Sequence, residues 1–326
     1  MYKIVLKPLC CALFSLLFAL SATAAQATTM ALQVLGSGGP NDVGGRASSS
    51  YLVYLDDKSK IMIDAGGGAS LRFGEASEAE KDGADIEDLE LIADIEDLEL
   101  IAISHLHVDH SADLTTMLKR GYTWPPESYL SFQVFGPSGN EGNGYSHPDI
   151  ESFLDSFLNE ENGAYRYMSV CSGYPEIEII KIPNQPEQAE PCIYRYEYED
   201  YTLSALNVEH ANIPTIAYRV DTDSGSIAFA SDQNDHQQEA FTQFVQGVDI
   251  LVMHLPNEER DGPDETFWHA NPSTIGEIAR DAGVGKLVLS HFMDGSLNEL
   301  GESIAYIRDS YTGQIECAED LNIYSV

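Results

Sequence analysis

Short apolar runs separated by polar turns recur along the whole chain, and each reads as a buried strand. Residues 31–35, 50–55 and 60–64 give the first three, the last two joined by the polar turn Asp56-Asp57-Lys58-Ser59. Residues 98–104 and 133–137 follow, then 176–182 and 192–198, which read as the two arms of a hairpin around a Pro- and Gln-rich turn. Residues 201–208, 215–220, 226–230, 249–253 and 286–290 complete the set. Helices are expected over 113–120, 150–158 and 237–246, and a further one starts at Asn271-Pro272, with Asn as N-cap and Pro in the first turn. The glycines at 36–39 form a turn rather than a dinucleotide-binding fingerprint, because the third glycine is misplaced and no helix follows.

Five of these strands end on a residue able to hold a metal. They end at Asp64, at the loop 105–110, at His210, at Asp232 and at His291. The loop reads His105-Leu106-His107-Val108-Asp109-His110, three histidines and an aspartate within six residues. Alternate side chains of such a loop can face one metal while the adjacent pair faces a second. Imidazole and carboxylate without thiolate suit zinc in a catalytic site, or manganese or iron. Asp64 is equally well read as a solvated strand-end residue or as a group that orients a histidine. His147, His236 and His254 are assigned to surface or packing positions.

Composition changes the picture in two ways. The chain has 326 residues with 43% apolar content, enough for one large domain or two small ones. It carries 17 basic and 53 acidic residues, a formal charge of −36, and such a field repels nucleic acid and anionic membranes. Residues 1–27 read as a secretory signal peptide: Lys3 and Lys7, then an apolar run over 9–20, then small residues before Ala27. The expected location is therefore periplasmic or secreted, with no membrane span after cleavage. Export permits disulfides, and Cys171 and Cys192, flanking the expected hairpin, are the pair of choice over Cys317. Residues 84–92 are repeated without change as 93–101; only the second copy can feed the histidine loop, and the first is expected to be dispensable. Residues 138–200 are the least regular part and read as an insertion or lid, rich in tyrosines of which one or two would line an aromatic pocket.

The His-Leu-His-Val-Asp-His run at 105–110 matches the HxHxDH signature of the metallo-β-lactamase superfamily. More narrowly, the chain resembles its branch related to the tRNA-processing endonuclease RNase Z. Leu35-Gly36-Ser37-Gly38-Gly39-Pro40, Ile63-Asp64-Ala65-Gly66, Gly136-Pro137-Ser138-Gly139, Ala230-Ser231-Asp232, Trp268-His269-Ala270-Asn271 and Ser290-His291-Phe292 follow in the order of that branch. The resemblance implies an α/β fold, the four-layer αββα sandwich, over residues 28–326, with the insertion near 138–200. It implies that His105, His107 and His210 hold one metal, that Asp109, His110 and His291 hold another, and that Asp232 bridges them. Two zinc ions are the implied cofactors, with manganese or iron as the other options. Asp109 would orient and deprotonate the attacking water, and His269 would act as an acid or as a hydrogen-bond donor to the transition state. The chain also resembles secreted zinc arylsulfatases of this branch. Together with the export signal and the acidic surface, this gives a small anionic ester, an aryl sulfate, as the expected substrate, with no nucleic acid. A phosphodiesterase is the alternative, followed by a lactonase or a tRNA 3′ endonuclease; a scaffold that merely kept the fold is disfavoured by the full ligand set. A homodimer is left open.

Overall fold

The computed structural model describes residues 27–78, 91–123, 130–142, 145–184 and 191–326. The expected signal peptide, up to residue 26, and residues 84–90 of the first repeat copy lie outside them.

The first half of the chain supplies β1 (Met30–Gly36), β2 (Ser50–Leu55), β3 (Lys58–Ile63), α1 (Ala69–Glu78), β4 (Leu100–Ala102), α2 (Val108–Ser111), α3 (Leu114–Arg120) and β5 (Ser131–Pro137). The middle holds the small hairpin β6 (Asn140–Gly142) and β7 (Tyr145–His147), then α4 (Ile150–Leu158), α5 (Tyr167–Val170), β8 (Glu176–Ile182) and β9 (Ile193–Glu197). The second half runs β10 (Thr202–His210), β11 (Ile213–Asp221), β12 (Ser226–Phe229), α6 (Gln238–Phe244), β13 (Ile250–His254), α7 (Pro263–Thr266) and α8 (Pro272–Ala282). It closes with β14 (Lys286–Ser290), α9 (Asp294–Asn298), α10 (Leu300–Ser310), β15 (Gln314–Cys317) and β16 (Ile323–Ser325). Among the described residues no helix is long and apolar enough to cross a membrane.

Two seven-stranded sheets result, ordered β16-β1-β2-β3-β4-β5-β8 and β15-β14-β13-β12-β11-β10-β9. Both faces of each sheet are covered, which explains why the strands read as nearly continuous apolar runs. Along β2, Tyr51, Val53 and Leu55 point into the core between the sheets, where they join Leu203, Tyr218 and Phe229. The alternate residues Leu52 and Tyr54 point the other way, into a second core with Phe73, Ile101 and Met117. A third core packs Phe241, Ile275 and Ile307 of the helices against Leu251 and Leu287. The layers are therefore helix, sheet, sheet, helix, the expected αββα sandwich.

In the first sheet β3, β4, β5 and β8 run parallel, and in the second β12, β13, β14 and β15 do. Parallel strands place all their carboxyl ends on one edge, where open α/β sheets bind ligands. β10 is antiparallel to β11, and β11 to β12, so β10 also ends on that edge.

The expected hairpin of residues 176–182 and 192–198 does not form. β8 pairs with β5 in one sheet and β9 pairs with β10 in the other, so the connection crosses from sheet to sheet. Cys171, at the end of α5, is a free thiol and is therefore not bridged to Cys192; the geometry that suggested the pair is absent.

Candidate metal centre

The strand ends bring all seven expected ligands together. His105 lies three residues past the end of β4, and His107 is the N-cap of α2 with extended backbone, φ −64° and ψ 150°. Residues two apart on extended chain share a face, so His105 and His107 both turn toward His210 from β10. Asp109 and His110 lie inside α2, whose helical turn swings them away toward His291. Asp64, Ser231 and His291, which follow β3, β12 and β14, adopt φ of 58°, 59° and 57°. Non-glycine residues seldom take this left-handed conformation, and it clusters at sites the surrounding fold over-determines. Here it turns three strand ends sharply enough for Asp64, Asp232 and His291 to face one spot. Gly39 makes room for this: a Cβ there would lie 2.8 Å from His291 Cε1.

Two clusters share Asp232. In the first, His105 Nε2 lies 2.9 Å from His107 Nδ1, which is 3.4 Å from His210 Nε2. Asp232 Oδ2 lies 3.7 Å from His105 Nε2 and 3.5 Å from His210 Nε2. In the second, Asp109 Oδ2 is 3.1 Å from His291 Nε2 and 3.6 Å from His110 Nε2, while Asp232 is 3.3 and 3.5 Å from the same two nitrogens. Four ligands at zinc's ~2.0–2.1 Å in a tetrahedron stand about 3.4 Å apart, and the separations seen, 2.9–3.7 Å, bracket that value. His110 Nε2 is buried and has no hydrogen-bond partner among the described residues, as a nitrogen that faces a metal would. The residues fit two metal ions with Asp232 between them.

The supporting atoms fix the ring orientations. Asp64 is buried; its Oδ2 sits 2.7 Å from His110 Nδ1 and its Oδ1 accepts from the Ser104 amide at 2.7 Å. The reading of Asp64 as an orienting group thus prevails over a solvated strand end. His210 Nδ1 lies 2.8 Å from the Trp268 carbonyl. Such outer contacts leave the opposite nitrogen free to ligate.

His254 was assigned to packing, and the structure corrects this. It ends β13, is buried, and puts Nδ1 2.6 Å from Asp232 Oδ1. Its Nε2 is 3.2 Å from the Tyr51 hydroxyl, which is 2.9 Å from Ser290 Oγ. The 2.6 Å separation is that of a hydrogen bond, so His254 holds Asp232; it also lies within ligand distance of His110, Asp232 and His291 and is a further metal-capable residue of the second cluster. Its position at a strand end beside His210 and His291 was the available signal. His236 is exposed and pairs with Glu209 at 2.6 Å.

Burial drives His105 well below its ordinary range, with His110 adding to the effect, and burial likewise lowers His107 and His210. These rings are neutral, the form that binds metals. Burial alone would lower His110 too, but the charges of Asp232 and Asp64 outweigh it and raise the ring well above its usual value. Burial would raise Asp109, yet the bond from His291 and the charge of His110 hold it down at about 2. Asp109 is therefore ionised at neutral pH.

Above the clusters lies a cavity of about 430 Å³ lined by ligand side chains and by Val108, Asn257, Glu265, Trp268, His269 and Met293. His269 is neutral: burial lowers it to about 3. Its Nδ1 is 3.9 Å from Asp232 Oδ1 and has no hydrogen-bond partner among the described residues. Among the described residues, none of Tyr165, Tyr167, Tyr174, Tyr194, Tyr196 and Tyr198 lines this cavity. Tyr194, Tyr196 and Tyr198 pack against the inter-sheet core, and Tyr167 meets Tyr165 and Tyr174 edge to face elsewhere.

Residues 43–123 match the family profile described as Metallo-beta-lactamase superfamily. The crystal structure of the metallo-β-lactamase fold protein YhfI from Bacillus subtilis superposes with a TM-score of 0.66 at 20% identity, over 91% of this chain and 100% of that one. This chain has the metallo-β-lactamase fold. Human tRNase Z, short form, superposes with a TM-score of 0.64 at 15% identity, over 91% of this chain and 99% of its own. In sequence, a ribonuclease Z of Mycobacterium sp. (strain KMS) is 22% identical over 299 residues, 89% of this chain and 93% of the relative.

These relatives overturn one expectation. A small-molecule anionic ester with no nucleic acid was inferred from export, from net charge and from a resemblance to arylsulfatases. The similarity instead runs over nearly the whole chain to proteins named ribonuclease Z. Net charge is a property of the entire surface and sets long-range repulsion, whereas a substrate is selected by the few groups at the site.

Proposed function

We propose that this chain is a metal-dependent phosphodiesterase that hydrolyses RNA, a hydrolase of the ribonuclease Z type. The observation that carries the reading is the pair of metal-capable clusters, His105, His107 and His210 on one side and His110, His254 and His291 on the other, which share Asp232 and border one cavity. Support for the substrate comes from the ribonuclease Z relatives that align with 89% of the chain. Among the described residues, no feature of the cavity favours an aryl sulfate over a phosphodiester, and no tyrosine lines it.

Two divalent ions bound in the clusters, zinc by ligand type, would supply an activated water at neutral pH and neutralise charge on the phosphate oxygens. The chain's own residues do the rest. Asp232, fixed from behind by His254, sets the spacing of the two clusters. Asp64 and the Trp268 carbonyl lock the rings of His110 and His210. His269 stands at the cavity wall as a neutral imidazole, which still donates one N–H. Its role is then a hydrogen bond to the developing charge or leaving oxygen, not transfer of a proton from an imidazolium.

The test uses the full chain loaded with zinc or manganese. It should cleave bis-p-nitrophenyl phosphate and an RNA carrying a single-stranded 3′ extension, and leave p-nitrophenyl sulfate largely intact. Rapid sulfate hydrolysis beside inert diesters and inert RNA would overturn it.

A further inference from the structure

The lip of the cavity carries exposed apolar side chains that neither metal binding nor hydrolysis uses. Trp268 is 40% exposed and Val108 69% exposed, and both line the cavity beside Met293. The Trp268 backbone is unusually well anchored for a loop. The Phe267 carbonyl accepts from Asn234 Nδ2 at 3.0 Å, and the His269 carbonyl accepts from Asn257 Nδ2 at 2.9 Å. The Ala270 amide donates to the Gln233 carbonyl at 2.8 Å, and the Trp268 carbonyl itself faces His210 Nδ1 at 2.8 Å. The indole is thus held in fixed register with the first metal cluster, its ring centre 5.3 Å from that of His210 and 6.4 Å from that of His107. A large apolar ring displayed at a functional opening by a pinned backbone marks a contact surface.

The charge around it narrows the contact. No Lys or Arg is among the described residues lining the cavity, and Glu265 adds a carboxylate. A nucleic-acid backbone extending beyond the metal-held phosphate finds no cation there. A base does find an aromatic partner, and stacking on an indole is indifferent to base identity because every base has a π-face.

We propose that Trp268 is the stacking platform for the nucleobase next to the scissile phosphodiester, so that the enzyme takes single-stranded RNA ends by base stacking instead of by a basic groove. This rests on the phosphodiesterase reading above. It accounts for how a chain with a formal charge of −36 can hold an anionic polymer: one phosphate on the metals, one base on the indole, and little else.

The experiment compares the metal-loaded full chain with Trp268→Ala and Trp268→Phe. Substrate affinity is read as KM on a short single-stranded oligoribonucleotide. Base recognition is read as the ratio of Kd values for AMP and for ribose 5-phosphate, which share the phosphate and differ in the base. Trp268→Ala should raise KM about 5- to 150-fold, the range that loss of one stacked base gives, with kcat changed far less and metal content unchanged. It should also bring the two Kd values together, and Trp268→Phe should restore most of both effects. The salt dependence of KM should be shallow, with a log–log slope of about one or two, far from that of a protein making six or more phosphate contacts. An unchanged KM in Trp268→Ala, equal binding of AMP and ribose 5-phosphate by the parent chain, or a steep salt slope would each overturn the platform. A parent chain that cuts neither RNA nor the model diester, yet prefers AMP in a Trp268-dependent way, would sink the phosphodiesterase reading while upholding the platform.

Discussion

His254 Nδ1 lies 2.6 Å from Asp232 Oδ1, and this contact fixes the carboxylate that both metal clusters share. With Oδ1 occupied, Oδ2 faces His105, His110 and His210 at 3.5–3.7 Å. Tyr51 closes the arrangement from the opposite sheet by reaching both His254 Nε2 and Ser290 Oγ, one residue before His291. Removing an outer partner of this kind typically costs 10- to 100-fold in metal affinity. His254→Ala should therefore weaken metal binding by about that factor, measured by competition with a chromogenic chelator. His254→Asn, whose amide nitrogen can replace Nδ1, should recover most of it. Equal affinity in all three proteins would show that Asp232 needs no support.

His269→Ala should separate binding from turnover. The ring lines the cavity, stands 3.9 Å from Asp232 and ligates nothing in the proposed arrangement. Metal stoichiometry should stay at two per chain while kcat on bis-p-nitrophenyl phosphate falls by about 10²–10³-fold. Loss of metal from this variant would make His269 a structural support instead.

The metal-free protein should have an acid-sensitive step traceable to Asp109. Its carboxyl, ordinarily at 3.8, is held at about 2 in the folded chain. A depressed folded value means that the stabilisation is fully present above the unfolded pKa and is lost as pH falls from about 3.8 toward 2. The shift corresponds to roughly 2 kcal/mol. Urea melts of the apoprotein across that window should show the loss, and Asp109→Asn should flatten it. A slope unaltered by the substitution would assign the acid sensitivity to other groups.

Much of the architecture was legible in the sequence because strand and helix periodicities are local. Apolar runs located most of the strands within a residue or two, and the histidine loop, His210, Asp232 and His291 were visible as metal-capable residues where those runs stop. The helices α1, α9 and α10 and the strands β15 and β16 escaped notice. β16 is short and half exposed, and it holds its place by pairing with β1, almost three hundred residues away in the chain.

Sequence alone determined which residue types end the strands, since that depends only on where an apolar run meets a turn. Tertiary structure decided which of those ends meet. The parallel register of β12, β13 and β14 aligns Phe229 with Val252 and His254 with Ser290, and this carries Asp232, His254 and His291 to one point. The same pairing choice sends β8 and β9 to different sheets, and so denies Cys171 and Cys192 the hairpin that would have joined them. It also sets Trp268, in the sequence the first residue of a motif but one without a role, on the lip of the metal-site cavity. Register is fixed by long-range burial of two sheets against each other, and no local pattern along the chain records it.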